Sequence, residues 1–283
     1  MGKVLEAIDT AIVNAQEKGQ RSHLGASSIG DKCARKLWYG FRWATETRHP
    51  AQLLRLFNRG HLEEDRFVGW LRAAGVEVWQ NDPATGKQYR FTGYKGHFCG
   101  EIDGVGAGLL DAPYLLEFND APYLLEFKTH SDASFKSLVL NKVEIDKPLH
   151  YVQMQVYMGE FGLTQALYLA INKNTDAIYD EVVPFNEKVY QKYVTRAAMI
   201  IDSPEPPPRI SRDASWYECK WCDHRAVCHT TVAPLINCRT CAHSTPVADG
   251  RWLCENTLAL NNQLIPENTL LVGCARYVRH PMS

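Results

Sequence analysis

The sequence predicts an α/β body, a central mixed sheet flanked by helices, followed by a small cysteine-rich module. Three observations carry this. Helix-period segments alternate with short apolar runs of strand length between residues 51 and 201. A stiff, extended stretch, SPEPPP (Ser203–Pro208), then breaks the pattern. Beyond it, seven of the nine cysteines crowd into the last third of the chain.

In chain order, residues 3–18 and roughly 32–43 read as helices. Ala51–Ala74 reads as a long helix, with Phe57, His61, Glu64, Val68 and Leu71 on one stripe at spacings of three or four. Glu77–Gln80, Gln88–Thr92 and His97–Val105 read as strands, and so does YLLEFKTH (Tyr123–His130). Pro148–Phe161 is a helix, ALYLAIN and YDEVVPF are a strand pair, and Asn186–Ile201 is a helix. The expected boundaries are a body over 1–202, a linker and cysteine segment over 203–232, and a cysteine module over 233–283.

The 283 residues carry 31 basic and 32 acidic side chains, a net charge of −1. Any nucleic-acid binding must therefore come from a local basic surface. No apolar run is long enough to span a membrane. The start, MGKVLEAIDTAIVNAQEKGQ, is amphipathic and lacks the apolar core of a signal peptide. Glu6 stands where a myristoylation signal wants Ser or Thr. A cytoplasmic location is the expectation, and with it cysteines that bind metal rather than form disulfides. GVGAG (Gly104–Gly108) lacks both the G-x-G-x-x-G spacing and a P-loop lysine, which argues against nucleotide binding.

Two segments carry acidic chemistry. In HFCGEIDGV, read as one strand, Cys99, Glu101, Asp103 and Val105 share a face. In PYLLEFKTH, Leu124, Glu126 and Lys128 share one face, and Tyr123, Leu125 and Phe127 the other. A Glu–Lys pair on such a strand is either an exposed ion pair or a buried pair tied to a metal. A histidine on an apolar helix stripe, as at His61, is often a satisfied core residue. Together, two carboxylates and an imidazole can hold Mg²⁺ or Mn²⁺. A nearby lysine can orient water or stabilise charge building on a phosphate.

RGHLEED, GEIDGV, LEFK and HYVQMQVYM, in this order, resemble the motifs of the PD-(D/E)xK nuclease superfamily, specifically its RecB-like and CRISPR-associated iron–sulfur exonuclease branch, in a phage-type form. Each motif alone is weak; four in order over most of the chain are specific. The resemblance implies a restriction-endonuclease-like fold and metal-dependent hydrolysis of DNA phosphodiesters, exonucleolytic, in recombination, replication or end-processing. It implies that Asp103, Glu126, the Phe127 carbonyl and His61 ligate Mg²⁺ or Mn²⁺, that Lys128 acts on the attacking water, and that Gln153 and Tyr157 line a DNA groove. The implied partner is DNA, single-stranded or at duplex ends, with replication or recombination proteins beside it and no membrane. For a phage protein the compartment is the host cytoplasm. A DNA-end-binding module that does not cleave, and an iron–sulfur redox sensor, are the alternatives.

Cys219-x₂-Cys222-x₅-Cys228 supplies three thiolates and needs a fourth ligand. With Cys33, far upstream in SSIGDKCARKLWYG, it resembles the [4Fe–4S] arrangement of the same branch. A zinc site using His224 or His229 is the alternative. Cys238-x₂-Cys241-x₁₂-Cys254-x₁₉-Cys274 reads as a compact zinc module, with His243 and His280 as spare ligands and a second cluster as the alternative. Cys99 is left over as a buried strand residue. Arg35, Lys36 and Arg42 lie among Trp38, Tyr39, Phe41 and Trp43, a mixture suited either to single-stranded DNA or to a core with a solvated face. Lys136, shortly after the E-x-K strand, is the stronger candidate for a phosphate contact.

One phrase occurs twice. Asp111–Asn119 reads DAPYLLEFN and Asp120–Lys128 reads DAPYLLEFK. Without the first copy, Asp103 and E-x-K have the spacing usual for the branch. The first copy thus reads as a nine-residue insertion, a hairpin arm or loop leading into the strand. Were it to take the strand's place, Glu117 could replace Glu126, but Asn119 could not supply the charge of Lys128. Slippage between near-identical strands predicts a minor, inactive register. Deleting Asp111–Asn119 should raise the yield or specific nuclease activity of refolded protein. No change on this deletion and on Glu117→Ala would dismiss the slipped form.

Overall fold

The computed structural model describes residues 2–16, 20–109 and 121–280. In chain order these form α1 (Lys3–Ala15), β1 (Leu24–Gly25), α2 (Ala34–Phe41), α3 (Ala51–Ala73), β2 (Glu77–Trp79), β3 (Arg90–Gly93), β4 (Phe98–Glu101) and β5 (Gly104–Ala107). After these come β6 (Tyr123–His130), α4 (Asp132–Asp146), α5 (Pro148–Phe161), β7 (Gln165–Asn172), β8 (Ile178–Pro184) and α6 (Glu187–Asp202). The tail adds β9 (Ser244–Pro246), β10 (Trp252–Cys254) and β11 (Gln263–Leu264). Two compact units result. One comprises Met1–Lys18, His49–Phe91 and Gly100–Gln191; the other Gly19–Arg48, Thr92–Cys99 and Lys192–Ser283.

The first unit is built on a five-stranded mixed sheet in the order β2-β5-β6-β7-β8. β6 and β7 are parallel, and the other pairs are antiparallel. Every residue of β7 is buried, as expected of a central strand covered on both faces. The alternation read from the sequence holds in β6. Tyr123, Leu125 and Phe127 join Phe67 and Val68 of α3 and Leu167, Leu169 and Ile171 of β7 in one core. Phe127 stacks on Phe67 with ring centroids 5.1 Å apart. The opposite face carries Glu126, paired in register with Tyr168, and α4 and α5 pack on that side. Among the described residues no helix is long and apolar enough to cross a membrane.

Some expectations change. His97–Val105 is not one strand. It breaks at Ile102–Asp103 into β4 and β5, which join different sheets. Asp103 therefore sits at a chain bend rather than on a strand face. α4 is a helix that the sequence did not announce, because its apolar residues lack a sustained helical stripe and Lys142 interrupts it at φ 63°. GVGA forms β5, so the glycines serve strand packing rather than a phosphate loop. The first DAPYLLEF copy, with its expected hairpin arm, lies outside the described residues.

The second unit pairs β1 in parallel with β4, Leu24 opposite Phe98, and folds its tail into an antiparallel β11-β10-β9 sheet. Trp38, Tyr39, Phe41, Trp43 and Trp252 are all buried. Of the two readings of the aromatic run after Cys33, the core reading holds. Cys99 is buried as expected.

Gly106 of β5 faces Tyr123 across the β5–β6 pair, and a β-carbon there would stand 2.6 Å from the tyrosine ring. That ring is buried, and its hydroxyl donates to the Gly108 carbonyl at 2.9 Å, so it cannot swing aside. Gly106→Ala should destabilise the unit by about 1–3 kcal/mol, the usual range for overpacking, measured as a lower urea midpoint at unchanged m.

Candidate active site

Glu126 and Lys128 project from one face of β6, two residues apart, and their side chains meet as a hydrogen-bonded ion pair. Glu126 has no exposed surface, whereas the Lys128 side chain is 24% exposed. The exposed-pair reading of this strand is thus overturned on the glutamate side. Asp103, at the bend before β5, reaches the same strand: its Oδ2 accepts a hydrogen bond of 2.8 Å from the Phe127 N–H. This bond holds Asp103 against the backbone next to Glu126.

α3 brings the next groups. His61 Nδ1 lies 3.5 Å from Glu64 Oε1, one helical turn on. The stripe read from sequence does face the rest of the site. Phe57, His61, Glu64 and Phe67 line an open cleft of about 620 Å³ together with Lys128 and residues after it. His61 is not a core histidine, since its side chain is 76% exposed.

The electrostatics tie these residues into one cluster. Burial pushes the Glu126 carboxyl well up, Asp103 adds to this, and Lys128 opposes it. Burial acts to lower the Lys128 ammonium, but the charges of Glu126, Asp103 and Glu64 outweigh it and hold it up. Burial and then Asp103 raise Glu64, against His61 and Lys128. Three carboxylates thus share one part-buried ammonium. Sequence reading left Glu64 without a role. Its one signal was its place three residues after His61.

Among the described residues no three His, Cys, Asp or Glu side chains stand close enough together to hold a metal ion as placed. The donor set nevertheless suits a hard divalent cation. Glu126 Oε2 is buried without any hydrogen-bond partner, and further carboxylates lie within its electrostatic reach. Lone pairs in that condition are what a cation with oxygen ligands satisfies.

The cleft has a second layer that the sequence did not suggest. The Tyr168 hydroxyl, opposite Glu126 in register, bridges His130 Nε2 at 3.0 Å and His150 Nδ1 at 2.9 Å. Ser134 Oγ bonds His130 Nδ1 at 3.2 Å. Burial, followed by Lys147, lowers His130 to about 4. Burial, followed by Lys128, lowers His150 to about 3. Both imidazoles are therefore neutral, and both line the cleft with Lys147.

Other expected residues lie elsewhere. Gln153 and Tyr157, expected at a DNA groove, are buried to 7% and 3% and do not line the cleft. α5 is covered along most of its length, so their helical spacing serves packing. Lys136 is exposed and pairs with Asp132 one turn away, outside the cleft lining. Arg35 is 3% exposed and holds the Tyr39 hydroxyl and the Pro207 carbonyl, so it offers no surface to DNA.

All nine cysteines lie within the second unit. Cys33 caps α2, its Sγ accepting from the Lys36 N–H at 3.4 Å. Burial raises the Cys219 thiol, and Cys33 and Cys228 add to this; Cys33 also acts on Cys222. Cys238, Cys241, Cys254 and Cys274 line one small cavity with His243. His224 is engaged by Thr45 at 2.7 Å and His280 Nε2 by Arg42 at 3.0 Å; His280 does not line the cysteine cavity.

Because His130 and His150 titrate near 6.5 when unfolded and well below that when folded, the unfolded chain takes up more protons between about 4 and 6.5. Stability is fully present above about 6.5 and is lost as pH falls through the folded values. His150→Gln can keep a hydrogen bond to Tyr168 but cannot titrate. It should flatten the acid side of the stability–pH curve by up to about 1.4 kcal/mol per pH unit, read by urea unfolding at pH 4.5 to 7.

No family model and no curated protein matches the chain. Sixteen chains of solved structures align with it, among them the following three. The crystal structure of SSO0001 does so at 13% identity over 82% of this chain and 99% of its own, with a TM-score of 0.44. An alkaline exonuclease from Laribacter hongkongensis, LHK-Exo, does so at 15% identity over 69% of this chain and 90% of its own, with a TM-score of 0.43. LHK-Exo in complex with dAMP covers the same shares at 14% identity and a TM-score of 0.41. Likenesses at this identity and TM-score do not establish a shared activity.

Proposed function

We propose that the chain is a divalent-metal-dependent nuclease of the PD-(D/E)xK type, hydrolysing DNA phosphodiester bonds as an exonuclease in recombination, replication or end-processing. One observation carries the reading. Asp103, Glu126 and Lys128, the residues of the resemblance, form a single ionic cluster around the buried Glu126 beside an open cleft, with Glu64 and His61 at the same cleft. A strand pair with one Glu–Lys contact alone would not support it.

In this reading Asp103, Glu126, the Phe127 carbonyl and His61 hold Mg²⁺ or Mn²⁺, and Glu64 joins them. The bound ion supplies a water of lowered pKa and a Lewis acid for the phosphoryl oxygen. Lys128 carries the remaining work. Its ammonium is pinned at Glu126, so it is pre-aimed at the attacking water and at charge developing on the phosphate. Buried neutral imidazoles at His130 and His150 leave the cationic charge at this end of the cleft to Lys128 and Lys147. Asp146 partners Lys147 at 2.6 Å.

Two further groups belong to the proposal. Cys33, Cys219, Cys222 and Cys228 would hold a structural [4Fe–4S] cluster, a reading that rests on their spacing and on the action of Cys33 on Cys219 and Cys222. Cys238, Cys241, Cys254 and Cys274 hold zinc, supported by the cavity they line together. A host-cytoplasmic, phage-type setting agrees with this chemistry.

The test is Mg²⁺- or Mn²⁺-dependent digestion of end-labelled linear DNA. Glu126→Ala, Lys128→Ala and Glu64→Ala should each lower the rate by at least about a hundredfold, the usual effect of removing a preorganised charge. Equal degradation by wild type and Glu126→Ala defeats the assignment. Salt-dependent DNA binding by a wild type that never cleaves replaces it with an end-binding module.

A further inference from the structure

The second unit buries two cations, and among the described residues neither forms an ion pair with an acid. Arg42 is 2% exposed and Arg239 1% exposed. Arg42 Nη1 donates to the carbonyls of Arg239 at 3.2 Å and Ser244 at 3.0 Å and bonds His280 Nε2; its Nη2 donates to the Ser203 carbonyl. Arg239 donates to the carbonyls of Phe41 at 2.9 Å and Ser22 at 2.6 Å. Trp38 and Trp252 face Arg42, and the Trp43 ring centroid lies 3.8 Å from the Arg239 guanidinium carbon. The Nε of each arginine has no partner. Carbonyl dipoles and ring faces solvate a guanidinium, but they do not neutralise it, and a buried charge calls for a counter-charge.

The one anionic group that acts on Arg42 is a thiol, Cys241, which belongs to a set of four. Cys238, Cys241, Cys254 and Cys274 line a cavity of about 20 Å³, room for about one small ion or water. Ser244, whose carbonyl binds Arg42, lines the same cavity. Arg239 stands in the chain between Cys238 and Cys241, and Cys241 is the group whose charge acts on Arg42.

We propose that Arg42 and Arg239 are the built-in counter-charge of a tetrathiolate metal site at Cys238, Cys241, Cys254 and Cys274. This rests on the zinc reading above and adds to it the residues that make the site electrically neutral. One divalent cation binds and four thiols release four protons to solvent, leaving a complex with two net negative charges. Two guanidinium charges beneath it bring the sum to zero. The arginines are positioning residues. They touch no metal, and they act by offsetting the charge of the tetrathiolate complex.

The experiment uses the full-length protein, with zinc counted by elemental mass spectrometry and zinc release followed against a competing chelator at fixed pH. The zinc lost on Cys254→Ser defines the ion of this site; if that variant keeps the wild-type zinc content, the tetrathiolate reading itself fails. Arg239→Met and Arg42→Met should each weaken retention of that ion by about tenfold or more, as loss of an outer partner of a metal site does. Arg239→Lys and Arg42→Lys, which keep the charge and lose the fork, should stay within about threefold of wild type, far less than that loss. If Cys254→Ser loses the ion while both Met variants hold it as tightly as wild type, the metal site stands and the counter-charge role is overturned. If the Met variants do not fold, the Lys variants decide. Folded Lys variants that bind Co²⁺ with wild-type affinity support the role, and folded ones that lose it show the arginines to be only a staple between carbonyls.

Discussion

A carboxylate without any exposed surface, Glu126, stands on a strand with neighbours on both sides, and the candidate site is arranged around it. Burial alone would neutralise such a group by protonation. Lys128, two residues along and therefore on the same face, supplies one positive charge. Asp103 and Glu64 then add more negative charge than that ammonium balances. Two of the imidazoles at the same cleft add no charge, because burial and lysines hold His130 and His150 neutral. The cluster is thus acidic overall, with an orphaned oxygen at Glu126 Oε2, a condition that favours a multivalent cation over a second side chain.

Much of the first unit was legible because strand alternation and helix period are local. The run Tyr123–His130 is β6 to the residue, and Pro148–Phe161 is α5 to the residue, where Pro at the first turn and a left-handed Gly162 punctuate the ends. The pairing of Glu126 with Lys128 on one face followed from the period of two. What stayed hidden was non-local. Asp103 owes its place to a chain bend and to one bond with Phe127, which a continuous-strand reading could not supply. The His130–Tyr168–His150 bridge joins β6, β7 and α5, and no spacing announces it. Gln153 and Tyr157 misled because a polar residue and an aromatic one turn apart fit a groove and a packed helix equally well.

The second unit shows the same limit from the other side. The residues around Cys33 mix arginine and aromatic side chains, which at the level of sequence suits a nucleic-acid surface as well as a core. The deciding fact is that Arg42 and Arg239 reach carbonyls in segments far apart in the chain, at Ser22, Phe41, Ser203 and Ser244. Guanidinium groups sandwiched between tryptophans pack as aromatic neighbours do, so a basic residue becomes part of a core.

The bond between Asp103 and the Phe127 amide closes a chain segment 24 residues apart in sequence, and the duplicated phrase lies wholly or partly inside it. Closing a segment costs entropy only as the logarithm of its length. Relative to a segment nine residues shorter, the extra cost is about 0.4 kcal/mol. A duplication event at this place therefore leaves the relation between the two carboxylates almost untouched in free energy. The extra phrase thus burdens the site through competition between copies for one strand, not through its length.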